Sequence, residues 1–490
     1  MNFTTNRKNR ELMAKRLFFI VLALFGLVFH AEAEEVTISG LAPDYAGKKI
    51  AFYYHPDPVL YNDVQLSSTT INNDGSFSLS FPLNQTREVY CNLEKFQGVV
   101  VTEPGQQYHV ILPKYTPLTP EEKKSPYFKP TPYWLGLKDR PENDLNFKIR
   151  EFVEEITREI NQNVNEIYHN GSQRVATEII TQLEKTFPNT QSSYFNVTKQ
   201  YYYAGLEYDV SQRNPDSVVM KYFATRPVEM GNAKYQELFR TMFTNFLKRE
   251  AQSVEYQKIL PLVNAGNWKG LVAFFTDKGY HAPFAELAIL KGLNDGFYSS
   301  FFDKKGVLLA LKHAETEATT TEYRQVAKEI SNRLTEVMTG SEAPSFSLRN
   351  NEGQETALSS FHGRFVYLNF FRNDNNESLE ELKLLKNVQQ RFQQVMTVVS
   401  VSMNDDFNLA QQLWKNNGYN WPLLDASGNQ KLADQYRIKD YPTYYLIGPD
   451  GKLLLSPAPA VSRGFEAAFI RVFRNAEIQR KRAETGHTVK

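Results

Sequence analysis

Apolar and polar positions alternate with a period of two over the first folded stretch of the chain. The runs EVTISGL, KKIAFYY, SFSLSF, EVYCNL, GVVVTE and QYHVILP are short, and turn signals such as Asn73-Asp74-Gly75 and Pro104-Gly105 separate them. This spacing predicts a small β-sandwich over 34–115. A proline-rich stretch at 116–142 then reads as a linker or an extended strap. Over 143–338 the period lengthens to that of helices. FKIREFVEEITREINQNVNEIY places Phe147, Phe152, Ile156 and Ile160 on one stripe, and VATEIITQLEKTF, KYQELFRTMFTNFLKRE and YRQVAKEISNRLTEVM behave alike. Stacked helical hairpins without a fixed repeat are expected. The Tyr201-Tyr202-Tyr203 run is either a groove for peptide or glycan or packing between helices.

From Gly340 the pattern mixes both periods. A hairpin (PSFSLRNNEGQETAL) precedes a continuous apolar strand at 365–371, a helix at 378–393 and a second apolar strand at 395–401. Helices near 407–417 and 429–436 follow, then strands TYYLIG and KLLLS around Asp450-Gly451, and a last helix from about Arg463. Continuous apolar strands are buried on both faces, and the Asp-Gly turn marks an antiparallel edge. The expected architecture is therefore multidomain: an N-terminal β-sandwich, a central all-α region and a C-terminal α/β domain over 340–475, with a basic tail at 476–490.

The N-terminus carries Arg7, Lys8, Arg10, Lys15 and Arg16, then the uncharged run Leu17 to Phe29, then Ala31-Glu32-Ala33. That order describes a signal peptide over 1–33, and a retained anchor is the alternative. The apolar run is shorter than the roughly 20 residues that cross a bilayer comfortably. No membrane span is expected after cleavage, and the location is periplasmic or otherwise extracytoplasmic. Losing five basic and two acidic residues turns the net charge of +1 into −2, which gives no electrostatic footprint for nucleic acid. Cys91 is the single cysteine, so no internal disulfide can form. It lies on the apolar face of EVYCNL, as a buried structural thiol or a reactive one. The histidines are dispersed, and no phosphate loop, nucleophile elbow or dinucleotide fingerprint is present. No metal and no cofactor is expected.

The segment GSEAPSFSLRNNEGQETALSSFHGRFVYLNFF, together with YRIKDYPTYYLIGPDGKLL, resembles the extracytoplasmic thioredoxin-like proteins of the TlpA/ResA type. That resemblance implies a thioredoxin fold over 340–475, a cis-proline at Pro442 and a bacterial envelope setting. It also implies a Cys-x-x-Cys at the start of the first long helix. Aligning Asn369-Phe370 with the family's Asn-Phe puts those cysteines at Asn375 and Ser378. Neither can form a thiolate or a disulfide, so dithiol exchange at this turn is excluded by chemistry. Helix-start chemistry offers another account: Asp374 as the cap, with Glu377 three residues later as in a capping box, and Leu379, Leu382, Leu385, Val388 and Phe392 as the buried stripe. The expected function is a non-enzymatic polypeptide-binding or scaffolding component of the envelope, with a polypeptide or envelope protein as partner. Its candidate binding residues are Asn375, Asn376, Glu377, Ser378, Tyr441 and Pro442. A thiol-disulfide relay through Cys91 or a partner's thiols is the alternative.

Overall fold

The computed structural model describes residues 33–119, 122, 128–211, 216–253, 257–297, 299, 301–404, 406–438 and 440–484. The signal-peptide reading, 1–33, and the end of the basic tail fall outside these apart from Ala33 and the residues up to 484. The described chain divides into two compact units. One holds a β-rich module and helices, within residues up to 313 and 317–326; the other holds 314–316 and 327 onward.

The β-rich module contains β1 (Glu34–Leu41), β2 (Lys49–Tyr54), β3 (Val64–Thr70), β4 (Ser76–Leu83), β5 (Arg87–Leu93), β6 (Phe96–Thr102) and β7 (Gln107–Ile111), followed by β8 (Thr131–Trp134) and β9 (Gly136–Lys138). They form a four-stranded sheet, β4-β1-β7-β9, and a five-stranded sheet, β3-β2-β5-β6-β8. Val36, Ile38, Phe52, Phe81, Val89, Cys91 and Tyr108 fill the core between them. Gly75 closes the turn before β4 at φ +85, where a Cβ would lie 2.5 Å from the Pro43 nitrogen.

Part of the stretch read as a linker is structural. β8 pairs in parallel with β6, and β9 pairs antiparallel with β7. One segment therefore supplies a strand to each sheet. Pro132 is tolerated because β8 is an edge strand with an open side.

The helices are α1 (Leu145–Gln162), α2 (Gln173–Thr186), α3 (Ser193–Val210), α4 (Ala233–Phe243), α5 (Phe246–Ala251), α6 (Ile259–Asn264), α7 (Trp268–Asp277), α8 (Ala282–Gly296), α9 (Lys304–Glu317) and α10 (Thr321–Thr335). Side-chain oxygens of Asp144, Ser172, Ser192 and Asn232 cap α1 to α4. The buried stripe of α1 is Leu145, Ile149, Phe152 and Ile156: Phe152 and Ile156 are buried as expected, whereas Phe147 and Ile160 are half-buried and Leu145 and Ile149 extend the stripe toward the helix start. KYQELFRTMFTNFLKRE breaks in two at Asn245, which takes φ 55. Tyr201 and Tyr203 are buried, and the Tyr201 hydroxyl donates to the Tyr222 carbonyl at 2.8 Å. Packing, rather than a groove, accounts for them.

The C-terminal sheet takes β10 (Ser347–Asn350), β11 (Glu355–Ala357), β12 (Phe365–Phe371), β13 (Met396–Ser402), β14 (Leu423–Asp425), β15 (Thr443–Ile447) and β16 (Leu453–Leu455) in the order β11-β10-β14-β13-β12-β15-β16. Around it lie α11 (Asn376–Phe392), α12 (Phe407–Asn417), α13 (Gln430–Gln435) and α14 (Phe465–Glu484). β12 and β13 are parallel, while β15 and β16 form the antiparallel edge. This is the thioredoxin arrangement. Every residue of β12 is buried. Phe365, Tyr367 and Phe371 face Leu382, Leu385 and Val388 of α11, and Val366, Leu368 and Phe370 share the other core with Leu432, Tyr436 and Tyr445. α14 continues to Glu484, past the 475 boundary read from sequence.

Candidate functional site

β12 ends at Phe371, and after four intervening residues the chain enters α11 at Asn376. The register Phe370↔Thr443 brings the cis Tyr441–Pro442 bond, just before β15, alongside this turn. Arg372 links the two segments, with its guanidinium 5.9 Å from the Tyr441 ring centroid. The same guanidinium donates to both Asp374 carboxylate oxygens, at 3.0 and 2.9 Å, and to the Met403 carbonyl at 3.3 Å. The Asn373 amide donates to Asn404 Oδ1 at 3.0 Å.

The helix start differs from the expected capping box. Asn375 is the cap, its Oδ1 accepting from the Ser378 amide at 2.8 Å. Asp374 is engaged by Arg372 two residues before it, and that bidentate contact takes it away from the helix. Glu377 reaches outward to Arg463 at 2.7 Å on the surface. Asn376 is exposed and Ser378 is fully buried. Tyr441 and Pro442 are half-buried, and burial pushes the Tyr441 hydroxyl above its ordinary range. The structure therefore brings the six candidate residues to one end of β12, but turns two of them, Asn375 and Ser378, inward.

Beneath the turn lies a polar layer that pattern reasoning missed. Glu381 is 3% exposed and accepts from the Val461 amide at 2.8 Å, the Ser462 amide at 3.2 Å and the Tyr444 hydroxyl at 3.4 Å. Burial, followed by the Glu381 carboxylate, drives the Tyr444 pKa far up. Asn369 is fully buried beside the Tyr444 hydroxyl, on which its side-chain amide acts, but it makes no hydrogen bond within 3.5 Å among the described residues. Glu381 carried a signal: a carboxylate on the same helical face as Leu382, Leu385 and Val388. In the structure it occupies the place expected of Leu379, which is only half-buried.

The turn holds no sulfur. Cys91 lies in the other compact unit, on β5, with no exposed surface, and burial pushes its thiol up to about 12. Among the described residues no group of three or more His, Cys, Asp or Glu side chains has metal-binding geometry. No helix there is long and apolar enough to cross a membrane.

Residues 339–455 match the AhpC/TSA family. Over 116 residues the chain is 30% identical to the thiol-disulfide oxidoreductase ResA of Bacillus subtilis, covering 24% of this chain and 64% of that protein. The ResA of Bacillus anthracis is 26% identical over 116 residues, covering 24% of this chain and 66% of its own. The chain thus spans just under two thirds of the curated relatives it matches. Among solved structures, a thiol-disulfide oxidoreductase from Bacteroides fragilis shares 23% identity over 26% of this chain and 99% of its own, with a TM-score of 0.25. The thioredoxin domain of a thiol-disulfide oxidoreductase from Bacteroides vulgatus shares 19% over 28% and 98%, with a TM-score of 0.26.

Proposed function

We propose that the protein is an exported, envelope-located thioredoxin-like component that holds a polypeptide without exchanging disulfides with it. One observation carries this reading. A complete thioredoxin frame surrounds a turn whose two relevant positions are Asn375 and Ser378, and both are committed to starting α11. Thiol-disulfide exchange requires an attacking thiolate and a second sulfur to resolve the mixed disulfide, and the turn supplies neither. What it leaves outward is Asn376 and the Tyr441–Pro442 edge. The β12–β15 ladder stops at Phe370–Thr443, and the main-chain groups of Tyr441 make no hydrogen bond among the described residues. An extended chain could pair with them as an added strand. Export rests on the basic, apolar and Ala-x-Ala order of the first 33 residues.

The relay reading would need Cys91 as a thiolate at the surface, and its burial and raised pKa oppose that. Reduction of insulin by the purified protein tests the proposal. No turnover above background is expected, and Cys91→Ser leaves the result unchanged. Turnover that survives Cys91→Ser overturns it. For the holding role, a photocrosslinker placed at Asn376 or Tyr441 should yield polypeptide adducts in the envelope. Adducts from neither position would remove the holding role while leaving the redox conclusion standing.

A further inference from the structure

A cleft of about 310 Å³ opens in the first compact unit, independent of the thioredoxin turn. Its walls come from the loop between β4 and β5, the first turn of α3, the 228–232 loop and the first turn of α10. We propose that this cleft is a binding site for a primary alkylammonium group, with Glu229 and Glu322 as its anions and Tyr323 as its hydrogen-bond acceptor.

Charge supplies the first argument. No Lys, Arg or His lines the cleft, whereas two carboxylates do. Neither Glu229 nor Glu322 has a side-chain ion pair or hydrogen bond among the described residues. Glu229 is half-buried, and desolvation alone pushes its carboxyl above the usual carboxylate range. A desolvated carboxylate without a cation is unfavourable, and an incoming ammonium restores the missing partner.

Tyr323 supplies an independent argument. It is only 3% exposed and lines the cleft, yet its hydroxyl has no hydrogen-bond partner among the described residues. The ring is enclosed while the hydroxyl oxygen keeps access to solvent at the cleft wall, which leaves it open to a donor from a ligand. The carboxylates of Glu286 and Glu322 act on this hydroxyl after burial does, so it sits in a negative field that favours a cationic donor. Glu286 itself is occupied by Thr319, through its amide at 2.9 Å and its hydroxyl at 2.7 Å. Tyr194, Val197 and Met230 add apolar wall, which suits an alkyl stem rather than a bare ion. At roughly 30 Å³ per water, the space equals about ten waters, enough for an aminopentyl group.

The chemistry is shared by a free diamine and a lysine side chain, so both are probed. Isothermal titration of the full chain with cadaverine and with N-acetyl-lysine methylamide should give saturable binding for at least one. Pentanol and N-acetyl-norleucine methylamide, which keep the stem and lose the charge, should not bind. Glu229→Gln should weaken binding at least tenfold, and Glu322→Gln, at an exposed helix start, should weaken it several-fold. Cadaverine binding alone identifies a free amine, and binding of the lysine compound identifies a polypeptide side chain. The proposal is overturned if neither amine binds, if the neutral analogues bind equally, or if folded Glu229→Gln and Glu322→Gln both bind as the wild type does.

Discussion

Asn375 and Asn369 lie six residues apart and do opposite things. Asn375 satisfies a free amide at the start of α11, so Asn375→Ala should cost about 1 kcal/mol of stability, read from urea unfolding, whereas Asn375→Asp should cost little. Asn369 lies in the core against the Tyr444 hydroxyl, with no hydrogen bond within 3.5 Å among the described residues. Because that contact is long, Asn369→Leu should change stability by no more than about 1 kcal/mol, the net worth of an ordinary hydrogen bond, and a larger loss in urea unfolding would mean that the amide holds Tyr444 in place. The double substitution Asn375→Cys with Ser378→Cys restores two sulfurs at the cap and third helical positions. It should oxidise to a disulfide, detected by loss of free thiol; failure to oxidise would put the alignment at this turn in error. The sequence announces a helix start here, but not which residue caps it. Asp374 and Glu377 are both good cap chemistry, and their actual partners decide the matter. One is Arg372, nearby; the other is Arg463, which only the fold brings close.

Elements were legible where period and length agreed. β12 and β13 read as buried strands because their apolar runs are continuous, and α11 because its stripe repeats. Leu385, fully buried between α11 and the sheet, should cost about 2–5 kcal/mol as Leu385→Ala. Glu377→Ala, which breaks only a surface ion pair, should stay within about 1 kcal/mol. Thermal or urea unfolding of the two variants separates them. β14 escaped notice because three residues after Trp421-Pro422 carry no periodicity. β8 and β9 escaped because proline argues against strands, and only an edge position tolerates it. The break between α4 and α5 falls at Asn245, a residue type that accepts left-handed geometry, but no sequence pattern requires it there.

For the molecule as a whole, the order of β-rich, helical and thioredoxin-like regions follows the changes of period along the chain. What period cannot show is how the β-rich and helical parts of the first unit meet. Asn146 at the start of α1 exchanges hydrogen bonds with both main-chain groups of Val101 on β6, at 2.7 and 2.9 Å. Gln236 of α4 donates to the His55 carbonyl at 3.0 Å. Glu88 of β5 lies at the same junction. Although the residue as a whole is partly exposed, its carboxyl is enclosed, and burial, with Glu237 of α4 adding to it, pushes that carboxyl up to about 7. The folded chain thus keeps a proton that the unfolded chain releases near 4.5. This contribution to stability is complete below about pH 4.5 and is lost as pH rises through about 7. Relative to Glu88→Gln, the wild type should lose melting temperature over that window and hold a constant difference above it. A difference independent of pH would place the carboxyl in water.

The strap formed by β8 and β9 also fixes an order of events for a chain that emerges N-terminus first. β6 and β7 are complete at Ile111, but their outer partners arrive only with residues 131–138. Until that segment emerges the chain offers two open strand edges to anything nearby, and a single short stretch closes both together.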